Sequence, residues 1–234
     1  MHSILSPCAD ELMTPNNILN MVMLKGLDVI SITDHNSTKQ LKVISQLQES
    51  YDFIIIPGVE VSVKEGFDVL CYFKTFQDAI SFNSFLSPRL NGEWGNYTKD
   101  NQVVTDIYDQ TFDVVDTPLT QTNVTYDELL KEVRRLDGLL VLAHINRPSC
   151  TPLNSYRLED MDFDAIEIAP YGKDAFIEAL KAVKTPDKTI REIAIRDSSI
   201  GIQTADTLAV TKALNGSKGT EIIDSPLGQE TLTS

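Results

Sequence analysis

The chain has only three histidines, His2, His35 and His144, and each lies at or beside the end of a strand-like run. His35 follows LDVISIT and Asp34, and His144 follows LLVLA. Glu60 sits inside the apolar run FIIIPGVEV, where an unpaired carboxylate is expensive to bury. Asp197 follows IREIAIR. Imidazoles and carboxylates brought together by separate strands suit a catalytic Zn, Mn or Fe site. A lone histidine near a strand end is more often a satisfied polar residue, so the weight rests on the set. Asp34 and Asn36 can instead cap the helix that follows them. Arg147, close to His144, can bind an anion or face solvent. Cys8, Cys71 and Cys150 show no paired metal-ligand spacing.

The elements that must position these residues alternate. Thr14 reads as an N-cap, Pro15 as the first helical residue, and Ile18, Leu19, Val22 and Met23 as an apolar face ended by Gly26. Strands are expected over 27–33, 53–61, 67–73, 139–143 and 163–169, with a weaker one over 190–195. Further helices are expected over 37–50 and 126–136. Repeated β-then-α units predict an α/β fold with a parallel sheet or a barrel. Such barrels build their sites at the C-terminal strand ends. Residues 83–125 are rich in Asn, Thr, Asp and Gln without a sustained period, and read as an irregular insertion or lid. Residues 201–234 read as an atypical, polar tail, frayed over its last ten or so residues.

Composition narrows the partners. Lys plus Arg is 20 and Asp plus Glu is 34, a formal charge of −14. That balance opposes binding to nucleic acid polymers and anionic membranes, whereas a small phosphorylated substrate is accessible if metal supplies positive charge. No run approaches a transmembrane span, and no basic-then-apolar leader opens the chain. Three scattered cysteines fit a reducing compartment, so a cytoplasmic location is expected.

Four segments stand in order: His2-Ser3-Ile4-Leu5-Ser6-Pro7-Cys8-Ala9-Asp10 with Met13-Thr14-Pro15, then Gly26 through Asn36, then Ile56-Pro57-Gly58-Val59-Glu60-Val61, then Ala143 through Ser149. Taken together they resemble the motifs of the polymerase and histidinol phosphatase (PHP) family. Phe163 through Ile168 resembles the strand that follows, so the likeness covers about residues 1–170. It implies a distorted (β/α)7 barrel over residues 1–200, two or three divalent ions and phosphoester hydrolysis. His2, His35, Glu60, His144 and Asp197 would be ligands, joined by Cys8 or Asp10. Asp34 and Arg147 would be catalytic, and Arg147 and Asn36 would hold substrate. Two departures stand out. The leading His of the opening His-x-His and its strand are absent, so the barrel is expected to be incomplete at its first strand. Ser199 replaces the His of the closing Asp-x-His. These departures support an alternative, a catalytically weak barrel that binds metal or a phosphorylated ligand. A site-free remnant that dimerises through an unpaired strand is a third expectation.

Overall fold

The computed structural model describes residues 1–95 and 102–168, and the backbone of 192–193, 220–225 and 228–233. Helix α1 (Pro15–Lys25) starts where Thr14 Oγ1 accepts from Asn17 N, with Pro15 in its first turn. Gly26 ends it at φ 65°, a left-handed position that glycine adopts without strain. Strand β1 (Val29–Ile32) follows and is buried throughout. Helix α2 (Leu41–Gln48) leads to β2 (Ile54–Ser62), and a tight connection leads to β3 (Asp68–Tyr72). Helix α3 (Phe76–Leu86) has Thr75 as its N-cap. The short strands β4 (Val103–Thr105) and β5 (Thr111–Val114) pair antiparallel. Helix α4 (Tyr126–Arg135), opened by a Thr125–Glu128 capping box, precedes β6 (Leu139–Leu142). Strands β7 (Ala165–Glu167) and β8 (Glu192–Ile193) complete the main sheet.

Its order is β1-β2-β3-β6-β7-β8, a curled half-barrel of mixed α/β type. The sheet departs from the expected all-parallel pattern at β3. That strand is antiparallel to both β2 and β6, while β1–β2, β6–β7 and β7–β8 are parallel. The cause is local. Val63 N bonds Phe67 O and Gly66 takes φ 88°, so the chain turns back at once, and a connection that short can only join antiparallel strands. On the edge of β1 away from β2, Met1 N donates to Ser31 O and Thr33 N donates to Met1 O. The opening residues therefore run along β1 as a parallel neighbour would.

Helices α1 to α4 cover one face of the sheet, with Leu19, Ile44, Phe82 and Leu129 fully buried against Ile32, Val59, Val61 and Leu142. The other face carries a smaller apolar layer of Val29, Ile56, Leu70, Tyr72, Val141, Ala143 and Ala165. Residues two apart on a strand share a face, so Glu60, Asp68 and Glu167 belong to this inner side. Gly58 lets the sheet curl there. A Cβ on it would lie 2.9 Å from Tyr72 Cδ1 and 3.0 Å from Thr33 Cγ2.

Two regions differ from expectation. The stretch 83–125 is not wholly irregular, because it contains the end of α3 and the β4–β5 hairpin. Long-range bonds fix the hairpin. Gln40 and Thr105 exchange two hydrogen bonds of 3.0 Å, and Asp109 accepts from Thr14 Oγ1 at 2.7 Å and Asn16 N at 3.2 Å. Leu5, Val104, Val115 and Leu119 form a small core beneath it, with Trp94 packed alongside. Near the C-terminus, β9 (Thr220–Ser225) and β10 (Gly228–Thr233) pair antiparallel where fraying was expected. The β-branched Thr220, Ile222 and Ile223 favour extended backbone. Among the described residues no helix is long and apolar enough to cross a membrane.

Candidate metal centre

Glu60 lies at the centre. The β1–β2 ladder continues past the strand end, with a parallel bridge between His35 and Glu60 and a 2.8 Å bond from Asn36 N to Glu60 O. His2 Nε2 lies 3.5 Å from Glu60 Oε2, and His144 Nε2 lies 3.4 Å from Glu60 Oε1. His144 Nε2 is also 3.4 Å from Asp68 Oδ2. The His2 and His35 rings stack with centroids 4.7 Å apart. Two sets have ligand atoms all within 4.8 Å of one another: His2, Cys8 and His35, and His35, Glu60 and Asp68. Glu167, buried beside them, accepts from His144 N at 3.3 Å.

The electrostatics follow from burial in close company. Burial works against charge on Glu60, but the His144 hydrogen bond and the neighbouring imidazoles win and hold its pKa down to about 2. Burial likewise opposes charge on His144, yet Asp68 and Glu60 raise it to about 10. His35 is lifted to about 9, against burial, by its Cys8 hydrogen bond and by Glu60. Burial and the charge of His35 lower His2 to about 3, so it is neutral at pH 7. Burial and the Glu60 charge push Glu167 up to about 7.

The donors fit divalent ions. His2 Nδ1 lies 2.8 Å from Thr33 O, an acceptor only, so that nitrogen is assigned the proton. Nε2 then presents a lone pair toward Glu60, leaving two acceptors facing each other at 3.5 Å with no proton between them. A cation resolves that repulsion. On His144 the other ring nitrogen, Nδ1, is buried without a hydrogen-bond partner, so the ring directs its polar chemistry at the carboxylates. Three imidazoles, carboxylates and one thiol match the ligand preferences of Zn, Mn and Fe.

His2, Cys8, His35, Glu60 and His144 are thus brought together. Asp10 is not among them. It is exposed, and its Oδ1 accepts from Leu12 N at 2.8 Å in a local turn. Asp34 lies behind the site, and its carboxylate accepts from Ser3 N and Ser3 Oγ at 2.6 Å and from Ser6 Oγ at 2.8 Å. Burial raises its pKa, against those bonds. Asn36 is also occupied structurally. Its Oδ1 accepts from Ser62 N and its Nδ2 donates to Leu119 O, an arrangement that braces β2 against the insertion. Arg147 follows a turn in which its N donates to His144 O, and its charge acts on Glu167. Asp197 lies outside the described residues.

Two members of the cluster were missed as ligands in the sequence. Asp68 opens β3, and a search for groups at strand C-termini passes over it. Glu167 stands in the buried run Ala165–Glu167. The cost of burying a carboxylate, which singled out Glu60, applies equally to the buried Glu167, whereas Asp68 is only half-buried.

No family model matches the chain. An uncharacterised protein of Methanocaldococcus jannaschii is 21% identical over 185 residues, covering 79% of this chain and 80% of the relative. Endonuclease Q from Pyrococcus furiosus superposes with a TM-score of 0.58 at 17% identity, over 92% of this chain. A complex of Endonuclease Q with a 27-mer duplex carrying an abasic lesion at its active site gives 0.56 at 17% identity. The chain spans only about half of those proteins, 54% and 55% respectively. A candidate metal-dependent phosphoesterase from Bifidobacterium adolescentis gives 0.54 at 14% identity, over 92% of this chain and 94% of that one. At these identities the likeness is one of fold alone.

Proposed function

We propose that the chain is a metal-dependent hydrolase of phosphoesters. The observation that carries this reading is the convergence of His2, His35, Glu60, Asp68 and His144 on one end of the inner sheet face. His2, Cys8 and His35 would hold one divalent ion, and His35, Glu60, Asp68 and His144 another, with room in the donor set for a third shared with Glu167 or Asp197. Ions bound there would lower the pKa of a water toward neutrality and offset the charge of phosphoryl oxygens. The protein supplies the rest. Glu60, with one oxygen toward His2 and the other toward His144, spans both halves of the centre. Glu167, with a pKa near 7, can hold or release a proton beside His144. Arg147 offers paired donors to a non-bridging phosphoryl oxygen. Asp34 fixes the segment that carries His2 and Cys8.

The net charge of −14 favours a small phosphoester over a polyanion. Endonuclease Q was solved with duplex DNA, so a duplex belongs among the substrates tried. The test is elemental analysis of protein purified without chelator, followed by turnover of chromogenic phosphomonoesters and phosphodiesters and of an abasic duplex, with Mn, Zn or Fe added. Bound metal with diester or monoester turnover supports the reading. Bound metal without turnover favours a metal- or phospho-ligand-binding module, and no metal overturns both.

A further inference from the structure

The protein has three cysteines in three settings. Cys71 is buried on β3, while Cys8 and Cys150 are both exposed. Cys8 differs from Cys150 in its company. Its sulfur lies within 4.8 Å of a ring nitrogen of His2 and of His35, and among the described residues Cys150 belongs to no such group. Cys8 is thus both a candidate ligand and a thiol open to solvent. It is also the only sulfur donor in a set of nitrogen and oxygen donors, and sulfur alone among them is readily oxidised by peroxide. Reach decides which reagents matter. Cys8 is exposed, whereas Glu60 and His144 are buried.

We propose that Cys8 is a site of reversible oxidation by hydroperoxides, and that its modification disables the His2–Cys8–His35 half of the metal centre while sparing the His35–Glu60–Asp68 half. The inference rests on the metal-centre reading above. In the step, the thiol gives up its proton to solvent and the sulfur attacks one peroxide oxygen. The S–O bond forms as the O–O bond breaks. The departing oxygen collects the proton and leaves as water or an alcohol. Sulfur is oxidised by two electrons to a sulfenic acid, and the peroxide is reduced. A sulfenic acid no longer offers an anionic thiolate, and an added thiol restores it through a mixed disulfide. A bound ion occupies the same sulfur, so metal and peroxide compete for it.

The experiment uses the full chain, hydrogen peroxide and Zn²⁺. Metal-free protein is treated with peroxide and a sulfenic-acid-trapping reagent, and adducts at each cysteine are followed by mass spectrometry. Cys8 is expected to label at least tenfold faster than Cys150, and Cys71 not at all in folded protein. Prior loading with Zn²⁺ should slow Cys8 and leave Cys150 unchanged. Zn²⁺ titrations before and after peroxide should show affinity at one position falling about 10–100-fold, the size expected when support for a ligand set is lost. Dithiothreitol should restore it. Cys150→Ser should behave as wild type. Cys8→Ser should start with weaker Zn²⁺ binding and be indifferent to peroxide. Equal labelling of Cys8 and Cys150, or Zn²⁺ binding unchanged by peroxide in wild type, overturns the inference and leaves the metal-centre reading standing. Absence of Zn²⁺ binding to wild type overturns both.

Discussion

Asp34→Ala should weaken both the fold and the metal centre, although Asp34 stands behind the ligands. Its buried carboxylate accepts three hydrogen bonds, from Ser3 N, Ser3 Oγ and Ser6 Oγ, all at 2.8 Å or less. Ser6 Oγ in turn accepts from His35 N at 2.9 Å. A hydrogen bond contributes about 1 kcal/mol, more when a charged group takes part, and a buried donor left unpaired costs about 1–3 kcal/mol. Three bonds lost, with some recovery by water entering the space, give about 3 kcal/mol. With a urea slope of about 2 kcal/mol/M, the midpoint should fall by about 1.5 M. Asp34→Asn keeps one acceptor oxygen but turns an NH₂ toward donors, so it should cost about half as much. In both variants the segment carrying His2 and Cys8 loses its tether, and Zn²⁺ affinity should fall about tenfold or more even where the protein is fully folded. Urea titration by circular dichroism and Zn²⁺ titration at zero urea measure the two effects separately. A midpoint within 0.3 M of wild type for Asp34→Ala, on the order of 0.6 kcal/mol at that slope, would refute the tether. So would undiminished Zn²⁺ affinity in a destabilised variant.

Glu60→Gln should abolish turnover and at least halve bound metal while leaving the circular dichroism spectrum intact, because an amide cannot balance two cations; near-wild-type turnover would make Glu60 structural. Asp68→Asn should lower metal content well below that of Asp10→Asn, since Asp68 Oδ2 faces His144 and Asp10 caps a local turn; elemental analysis of the pair decides it. Metal affinity should rise with pH between 6 and 8. Without metal, His35 and His144 hold protons up to about 9 and 10, each must give one up to coordinate, and those protons become easier to displace as pH rises. Calorimetric titration in buffers of different ionisation enthalpy should show proton release on binding, and a flat affinity profile would contradict it.

Much of the frame was legible because its signals are local. Thr14, Pro15 and Gly26 bracket α1 as their cap chemistry requires, and the β-branched, mostly apolar run at β1 marks a strand buried on both faces. His35, Glu60 and His144 stood out as polar groups interrupting or ending such runs. Asp68 did not, because five apolar-rich residues do not announce strand direction. An antiparallel strand begins at the end where its parallel-running neighbours finish, so the first residue of β3 arrives beside the last residues of β2 and β6. Helix α3 begins with Thr75 and Asp78, a cap signal present in the sequence but absent from the expected elements. The β4–β5 hairpin was not legible, because Gln40 and the N-cap of α1 hold it in place from more than 60 residues away.

The reversal at β3 also sets an order of assembly. Glu60 and Asp68 lie eight residues apart within one hairpin, whereas Ser3 and Asp34, which dock the His2 segment, are 31 apart. Closing a loop costs about 0.6 kcal/mol more with each doubling of its length, so the longer closure carries roughly 1.2 kcal/mol of extra entropy. Hairpins form within about 1–10 μs, early on the scale of domain folding. The carboxylates therefore meet first, within one local hairpin, and the imidazoles arrive afterwards from both sides. Until they do, the nascent chain presents two like charges with no partner, a nucleus whose formation dissolved cations should speed. Refolding rates followed against Mg²⁺ or Ca²⁺ concentration would record that acceleration, and Asp68→Asn would remove it.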